Sequence, residues 1–546
     1  MNPRSADGTH VAPPRTEQLT LHIDNSQCHQ RRHCRARKPV GTSRTMFDVV
    51  VVGGGACGGW TAKQLTEAGL RVLVLEAGRG MGADRMLWML HRMRQSLGYL
   101  AETDDQRKVR QSVQSTTFAW PFHPHAFVDD VDNPYTTPED QPFTWIRARQ
   151  VGGRTSVKAH GRQFYRLSDF NFKAGTQDGQ GPDWPLTLAD LAPHYETVER
   201  WMGIHGNADG LDILPDSVFA GSITMTPAEQ RLKEQVERRW PERRVIVRRT
   251  AGAPVTMPAA LKTGRLALRT NAVVDQVLYD AATGRATGVH YLDARSGKSY
   301  EAHARVVVLA AGAIESTRLL LNSRCSAFPD GLANTSGQLG RNLMDHTYML
   351  GIEAKMNLPP EAQRQEHSWA YIPQFRNVAT KEQDFARGYG VQVFTFGDNC
   401  HFVPFGEMVP RAENRVTLSP TVKDRWGIPA AHIECRHSAN ELKMAEDALA
   451  ACKEMMEAAG FTVEKANATL STPGMAIHEV GTARMGTDAK TSVLNPHNQS
   501  WDVPNLFIND GACFPSQGPQ NPTLTMMAIA VRASAHIVKE FKAGRL

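Results

Sequence analysis

Cysteine clusters and long apolar runs are both missing from this sequence. Its eight cysteines are spread from residue 28 to residue 513 without a C-x-x-C pair, which is the spacing that zinc sites and redox dithiols use. We therefore predict mostly free thiols and no metal site. The longest apolar stretch, at residues 306–314, falls well short of the ~18 residues that a membrane-spanning helix needs. We expect a chain that does not span a membrane.

An excess of one sign of charge occurs only at the start of the chain. Seven arginines and one lysine oppose three acidic residues in residues 1–45, so this segment carries +5 of the net charge of +6. The rest is nearly neutral, which does not indicate a nucleic-acid surface. Residues 1–45 also lack a periodic apolar pattern, and we predict a disordered tail. Residues 33–45, directly after Arg31 and Arg32, contain no apolar segment, so the sequence has no convincing export signal and indicates a cytoplasmic location.

A nucleotide-binding pattern follows the first predicted strand. Residues 47–52 are apolar and β-branched, as in a strand buried on both faces. Gly53 then permits a tight turn, Gly55 lets backbone amides approach a pyrophosphate, and Gly58 allows close packing of the next helix. A second strand ends at Glu76, 21 residues after Gly55, where a carboxylate can accept hydrogen bonds from a ribose. The pattern predicts a dinucleotide site without separating FAD from NAD.

Two later segments have the same strand-to-loop character. Residues 305–313 form a predicted buried strand that ends in small residues, which let a ligand approach the backbone. Residues 505–511 form another predicted strand, which ends in a polar residue and a glycine. A sheet assembled from segments this distant suits a long cofactor such as FAD. The cofactor contacts predicted at these two strand ends are Ala311, Gly312, Asp510 and Gly511.

Four further motifs, in the order of a known family, carry a resemblance. They read VGGRT at residues 151–155, GRNLMDH at 340–346, HEVGTARMG at 478–486 and NPTLT at 521–525. Together with the glycine loop, they make the chain resemble the glucose-methanol-choline (GMC) oxidoreductases from residue 47 to residue 541.

The resemblance implies an α/β fold with two domains. One is a Rossmann-like FAD-binding domain assembled from discontinuous segments, which we place at residues 46–200, 256–345 and 471–546. The other is an α+β substrate domain with an antiparallel sheet, which we place at residues 201–255 and 346–470.

The same resemblance implies a catalytic pair. A hydride leaves a carbinol carbon readily only if the hydroxyl proton leaves too, and histidine is a suitable base near neutral pH. His478 lies at the family's position for that base, and Asn521 lies at the position of its partner. Pro522 is predicted at the first position of a helix that continues with Thr523. In the family arrangement this helix start faces the flavin, whose reduced form its dipole stabilises. His346 is expected near the cofactor or in a structural role.

Gly152 and Gly153 of the VGGRT motif are further predicted cofactor contacts. Some relatives attach FAD covalently through a histidine shortly after this glycine pair, where our alignment places Val157. Valine has no nucleophile, so we predict non-covalent FAD. An apparent two-residue insertion nearby leaves His160 open as a second candidate for a covalent attachment.

A branch of the family is indicated by residues 183–185, 194–196 and 413–418, which resemble glucoside 3-dehydrogenases and the large subunit of gluconate 2-dehydrogenase. The implied reaction is oxidation of a secondary hydroxyl of a sugar or glycoside, at carbon 3, to a ketone, with hydride transfer to flavin N5. Alternatives are a sugar oxidase that uses O₂, an alcohol or choline dehydrogenase, and a flavin-binding member without redox chemistry. Candidate sugar contacts are Glu434, Arg436 and His437, of which His437 is also the second candidate for the base.

The branch also implies partners besides a small sugar or polyol. A small signal-bearing subunit would permit a periplasmic location by co-export. Cytochrome c or another electron acceptor would reoxidise the flavin in a dehydrogenase, which we favour over an oxidase.

Overall fold

The computed structural model describes residues 46–80, 89, 101–157, 162–359, 368–467 and 469–546. The predicted tail at residues 1–45 and the candidate attachment residue His160 lie outside these described residues.

Strands of the described ranges are numbered in chain order. They are β1 (Phe47–Val52), β2 (Val72–Glu76), β3 (Ile246–Val247), β4 (Leu266–Thr270), β5 (Ala272–Asp280), β6 (Arg285–Asp293), β7 (Ser299–Leu309), β8 (His346–Tyr348), β9 (Ile352–Lys355), β10 (Ser368–Ile372), β11 (Tyr389–Phe396), β12 (Asn399–Glu407), β13 (Arg415–Lys423), β14 (Pro429–Glu434), β15 (Thr462–Ala466) and β16 (Leu506–Ile508).

The α-helices of the same ranges are numbered likewise. They are α1 (Ala56–Glu67), α2 (Ala101–Arg110), α3 (Asp169–Phe172), α4 (Ala174–Asp178), α5 (Leu188–Met202), α6 (Pro227–Arg239), α7 (Met257–Lys262), α8 (Ala313–Asn322), α9 (Ala439–Ala458) and α10 (Thr523–Lys542).

The first sheet is mixed, with a parallel Rossmann-like part. Its strand order is β4-β2-β1-β7-β6-β5, and β16 also pairs with β7. The strands β4, β2, β1, β7 and β16 run parallel, whereas β5, β6 and the first half of β7 form an antiparallel meander. Because β1 is buried on both faces along its last four residues, it reads as a continuous apolar run.

The loop that connects β1 to α1 contains the first glycines of the predicted nucleotide-binding pattern. A side chain at Gly53, whose φ is +98°, would lie 2.5 Å from the carbonyl oxygen of Ala310, and a Cβ at Gly58 would lie 1.9 Å from the carbonyl oxygen of Gly53. Only glycine permits these approaches, so the turn, α1 and the end of β7 pack together closely. Helix α10 packs on α1 and α5.

The second sheet is antiparallel throughout. Its strand order is β15-β9-β12-β11-β10-β3, and β8 also pairs with β12. Helices α9 and α6 pack together, and α9 lies against β15, β12 and β9. Their apolar side chains form a second hydrophobic core, separate from the core around β1.

These two sheets confirm the predicted fold class, a Rossmann-like α/β part and an α+β part with an antiparallel sheet. The hairpin of β13 and β14 contacts α8, and its Val416, Ala431 and Ile433 join the first core. The domain boundaries themselves stay a prediction. Among the described residues, no helix combines the length and the apolar character that crossing a membrane requires.

Candidate active site

A cavity of about 750 Å³ is lined by residues of both sheets. One part follows the carboxyl ends of β1, β2, β7 and β16, which is where ligands bind in open α/β sheets. The other part is formed by β10, β11 and β12. The predicted site residues that line this cavity are Gly53, Gly55, Glu76, Gly153, Ala311, Gly312, His478, Asp510, Gly511, Asn521, Pro522 and Thr523.

Gly58 and Gly152 do not line the cavity but shape the loops that do. Gly58 lies beneath the first turn, against the Gly53 backbone. Gly152 adopts a φ of +93°, and its N–H donates to the carbonyl oxygen of Gly54 at 2.8 Å. The two glycine loops are therefore fastened to each other by a backbone hydrogen bond.

Glu76 is buried and its carboxylate is held at the end of β2. Its Oε2 accepts the N–H of Gly54 at 2.8 Å, and its Oε1 accepts the N–H of Gly78 at 2.7 Å. These bonds fix the carboxylate beside the first glycine turn. A carboxylate oxygen can accept more than one hydrogen bond, so a hydroxyl of a bound ligand can add to these contacts.

Asp510 joins the ends of β7 and β16. Its Oδ2 accepts the hydroxyl of Ser316 at 2.5 Å and the N–H of Gly312 at 3.0 Å, while Oδ1 accepts the N–H of Ala512 at 2.9 Å. Burial raises the pKa of the Asp510 carboxyl. Ala311 and Gly312, at the end of β7, therefore line the cavity without a bulky side chain.

The start of α10 also faces this cavity. The helix begins at Thr523, so Pro522 occupies the N-cap position rather than the first helical position that we predicted. The difference is one residue. Pro522 makes no side-chain cap hydrogen bond, so the side chain at the N-cap does not use the orphan N–H donors of the first helical turn.

His478 and Asn521 meet at the boundary between the two parts of the cavity. Asn521 Nδ2 lies 3.1 Å from His478 Nε2, and His346 Nδ1 lies 2.8 Å from His478 Nδ1. His346 Nε2 in turn lies 2.6 Å from the carbonyl oxygen of Gly518. The two histidine rings are nearly perpendicular, with centroids 4.9 Å apart.

A carbonyl oxygen only accepts hydrogen bonds. The carbonyl of Gly518 therefore determines which ring nitrogen carries the proton in His346 and, through it, in His478. His346 must carry its proton on Nε2 to donate to Gly518. Burial lowers the pKa of His346 to about 4, so at neutral pH its Nδ1 is bare and accepts. His478 therefore donates through Nδ1–H, which leaves its Nε2 lone pair directed at Asn521 and the cavity.

Two glutamines continue the series on the side of the second sheet. Gln392 Nε2 donates to Asn521 Oδ1 at 3.0 Å, and Gln163 Nε2 donates to Gln392 Oε1 at 2.6 Å. The hydroxyl of Tyr165 donates to Gln163 Oε1. Every amide in the series therefore has one orientation, in which Asn521 presents N–H groups to His478 and to the cavity.

The backbone of His478 is held as firmly as its ring. Its N–H donates to Asp345 Oδ1 at 2.9 Å, and its carbonyl accepts from Gln517 Nε2 at 2.8 Å. Asp345 Oδ2 also accepts the N–H of Gly474 at 2.7 Å. Burial, reinforced by the carboxylate of Glu479, raises the pKa of Asp345 to about 7.

The predicted sugar contacts occupy a different place. The cavity-lining residues of the described chain do not include Glu434, Arg436 or His437. Glu434 forms an ion pair with Arg415 across the hairpin at 2.8 Å, and His437 Nε2 lies 3.2 Å from the carbonyl oxygen of Ser471. The structure therefore does not bring these residues to the cavity, and their binding of a substrate stays an unsupported prediction. Polar residues that do line the cavity include Arg162, Gln163, Gln392 and His401.

Comparisons with known proteins agree with this architecture. The chain is 30% identical to 2-methyl-1,2-propanediol dehydrogenase of Mycolicibacterium austroafricanum over 92% of this chain and 96% of that protein. It is 29% identical to C-glycoside 3-oxidase of Arthrobacter globiformis over 48% of this chain and 52% of that protein. Pyridoxine 4-oxidase from Mesorbium loti shares the fold, with a TM-score of 0.63 at 18% identity over 90% of this chain and 99% of that structure.

Family models for GMC oxidoreductases match residues 47–348 and residues 410–530. These two matches cover both the glycine loop and the segment that contains His478 and Asn521. The chain therefore belongs to the GMC oxidoreductase family.

Proposed function

We propose that the chain oxidises a secondary hydroxyl of a sugar or glycoside, at carbon 3, with non-covalent FAD as cofactor and His478 as base. The observation that carries this proposal is the position of His478 Nε2 beside Asn521 Nδ2, at a cavity with a dinucleotide-type glycine loop. The relatives named above include a diol dehydrogenase and a C-glycoside 3-oxidase, so alcohols of both kinds are supported as substrates.

The residues present fit FAD. A Cβ at Gly55 or at Gly312 would meet no atom within 4 Å, so both positions leave open space at the cavity wall where a cofactor's phosphates need backbone. Glu76 and the start of α10 line the same cavity. Gly55, Gly312 and Gly153 would hold the pyrophosphate region, Glu76 a ribose, and Thr523 the flavin end. When bound, FAD supplies the acceptor for the two electrons that leave the substrate carbon.

Gly55→Ala is expected to weaken FAD binding by about 10–100-fold without destabilising the cofactor-free protein. Gly55 has a φ of −74° that alanine tolerates, and the added methyl occupies only the open space. The measurement is a titration of cofactor-free protein with FAD, together with its melting temperature. Gly252→Ala is the matched control, because that glycine also has open space around it and lies away from the cavity. Unchanged FAD affinity in Gly55→Ala would show that the pyrophosphate lies elsewhere.

The chain's own residues account for the movement of the hydroxyl proton. The substrate oxygen needs to lie about 2.8–3.0 Å from both His478 Nε2 and Asn521 Nδ2. Asn521 then donates to that oxygen, and Nε2 accepts its proton as the carbon is oxidised. His346 Nδ1 keeps accepting from His478 Nδ1–H, so the imidazolium that forms stays in the same orientation.

We predict that acid precipitation releases yellow cofactor into the supernatant. Val157 is buried among Ala119, Trp120 and Ile146, and it neither lines the cavity nor offers a nucleophile. The measurement is the flavin absorbance of supernatant and pellet after precipitation. Colour that stays with the pellet would indicate a covalent bond, and a His160→Ala variant would then test the remaining histidine near the glycine pair.

The substrate is tested with a panel of glucosides, free hexoses, gluconate, choline, 1,2-diols and primary alcohols. Each is scored with an artificial dye and with O₂, and the product is identified. A 3-keto sugar formed with the dye is the expected result. Preference for choline or a primary alcohol contradicts the proposal, whereas rapid peroxide formation keeps the substrate and makes the enzyme an oxidase.

We favour a dehydrogenase that passes electrons to a protein acceptor such as cytochrome c, with a small subunit as a further partner. The oxidase remains the second candidate because one of the relatives above is an oxidase. Stopped-flow reoxidation of the reduced enzyme by O₂ and by cytochrome c distinguishes the two.

A further inference from the structure

One face of the second sheet forms an aromatic wall of the cavity. Because residues two apart on a strand share a face, Gln392, Phe394 and Phe396 of β11 point the same way, and all three line the cavity. The register places Trp369 of β10 and His401 of β12 on either side of Phe394, and both also line it. We call Trp369, Phe394, Phe396 and His401 the aromatic wall.

The polarity of this face changes with distance from the catalytic pair. Gln392 donates to Asn521 and so marks the catalytic end. Phe394 and Phe396 follow on the same strand, and at about 3.3 Å per residue Phe396 lies roughly 13 Å further along it. A molecule whose hydroxyl lies between His478 and Asn521 can therefore reach this wall if it extends roughly 10 Å along the strand.

The wall is arranged as a ring-binding surface rather than as closed core. Trp369 and Phe394 meet edge to face with centroids 4.9 Å apart, and Phe396 and His401 do so at 5.8 Å. Phe396 is 38% exposed, and the neighbouring cavity residue Leu350 is 49% exposed. The guanidinium of Arg248 covers one face of Trp369, so the exposed ring of Phe396 is the surface on which a further flat group can stack.

The charge near this wall selects against a cationic molecule. The described cavity residues between positions 348 and 405 include no carboxylate. The guanidinium of Arg248 lies 4.5 Å from the centre of the Trp369 ring, and Arg162 lines the same cavity. An amino sugar would bring its positive charge towards these cations, and the carboxylates of Glu479 and Glu315 elsewhere in the cavity lining already pair with arginines.

We propose that the natural substrate is an aryl glycoside or a comparable neutral alcohol, with its reacting hydroxyl at His478 and an aromatic group about 10 Å away against the aromatic wall. This inference rests on the proposed oxidation of a glycoside hydroxyl and adds the class of the group attached to the sugar.

The test compares phenyl β-glucoside with methyl β-glucoside on the FAD-loaded enzyme. The expected result is that kcat/KM for the phenyl glycoside is at least about 10-fold higher, since an aromatic ring buries a large apolar area. Phe396→Ala and Trp369→Leu should lower kcat/KM for the phenyl glycoside by about 5–10-fold and leave the methyl glycoside within about 2-fold. Equal use of the two glycosides, or an equal loss of both in the variants, overturns the inference.

Phe122→Ala is the matched control, because Phe122 is 44% exposed and lies outside the cavity lining. This variant should leave kcat/KM unchanged for both glycosides. The pair 1-phenyl-1,2-ethanediol and 1,2-propanediol repeats the comparison without a sugar. If only the diols reduce the flavin, the glycoside proposal fails, while the phenyl preference among diols still decides this inference. If no alcohol reduces it, calorimetric affinities of the two glucosides decide it instead.

Discussion

His478→Ala is expected to bind FAD normally and to lower kcat by about 10²–10⁴-fold, the range that removal of a general base usually produces. The ring's Nε2 faces Asn521 and the cavity, and the substitution removes this acceptor from beside the substrate oxygen. Cofactor binding should persist because the glycine loop and Glu76 are held by their own backbone contacts. The measurement is anaerobic flavin reduction in a stopped-flow instrument, with flavin content determined in parallel.

Two further variants serve as comparisons for His478→Ala. Asn521→Ala should be milder, because it removes a donor to the substrate oxygen and leaves the base in place. His437→Ala should retain wild-type turnover, since His437 lies outside the cavity lining and beside Ser471. Wild-type reduction rates in His478→Ala would contradict the assignment, and a loss in His437→Ala would transfer the role to that residue.

Local patterns predicted the cofactor half of the fold well. The strand at residues 47–52 was predicted at the bounds that β1 has, because a β-branched run followed by glycines leaves few alternatives. Helix α1 begins at Ala56, and helix propensity does not locate this start because two of the first four residues of the helix are glycines. The antiparallel sheet came only from the family resemblance, because its outer strands β3 and β15 pair with strands that lie far away in the sequence.

The hydrogen-bonded residues around His478 could not be identified as partners from the sequence. Gln163 and Gln392 are separated by 229 residues and meet in a single hydrogen bond. No motif connects them, and a buried glutamine resembles any surface glutamine in the sequence. His346 belonged to a recognised motif, but its contact with the Gly518 carbonyl depends on tertiary packing. The physical roles of these residues follow only from the donors and acceptors that the fold brings together.

The predicted sugar contacts fell outside the cavity lining for the same reason, because their positions depend on tertiary packing. Glu434, Arg436 and His437 are polar residues near a family segment, which made them reasonable candidates. Glu434 instead pairs with Arg415 on the neighbouring strand, and that hairpin packs on α8. Alternation along a strand does not tell which face meets a ligand when both faces carry polar residues.

The acid stability of the protein should depend on His346. Its pKa of about 4 in the folded protein lies below the ordinary 6.5, so folding favours the neutral ring. The stabilisation is complete above about pH 6.5 and is lost as the pH falls towards 4. We expect the melting temperature of His346→Leu to fall less steeply over this interval than that of the wild type. If the melting temperatures of the two proteins fell equally steeply with pH, the His346 ring would not be held neutral in the folded protein.

His346→Leu is expected to lower kcat by about 10²–10³-fold with KM within about 3-fold, because a base held in the wrong tautomer is known to be very costly. Leucine cannot accept from His478 Nδ1–H, so the proton is free to move to Nε2 and block the lone pair. His346→Asn should recover most of the rate, because its amide oxygen can accept in place of Nδ1. Flavin reduction measured from pH 5 to pH 9 should show an altered profile in the leucine variant. A purely structural role would instead lower FAD content and kcat together in both variants, with an unchanged pH profile and no recovery by asparagine.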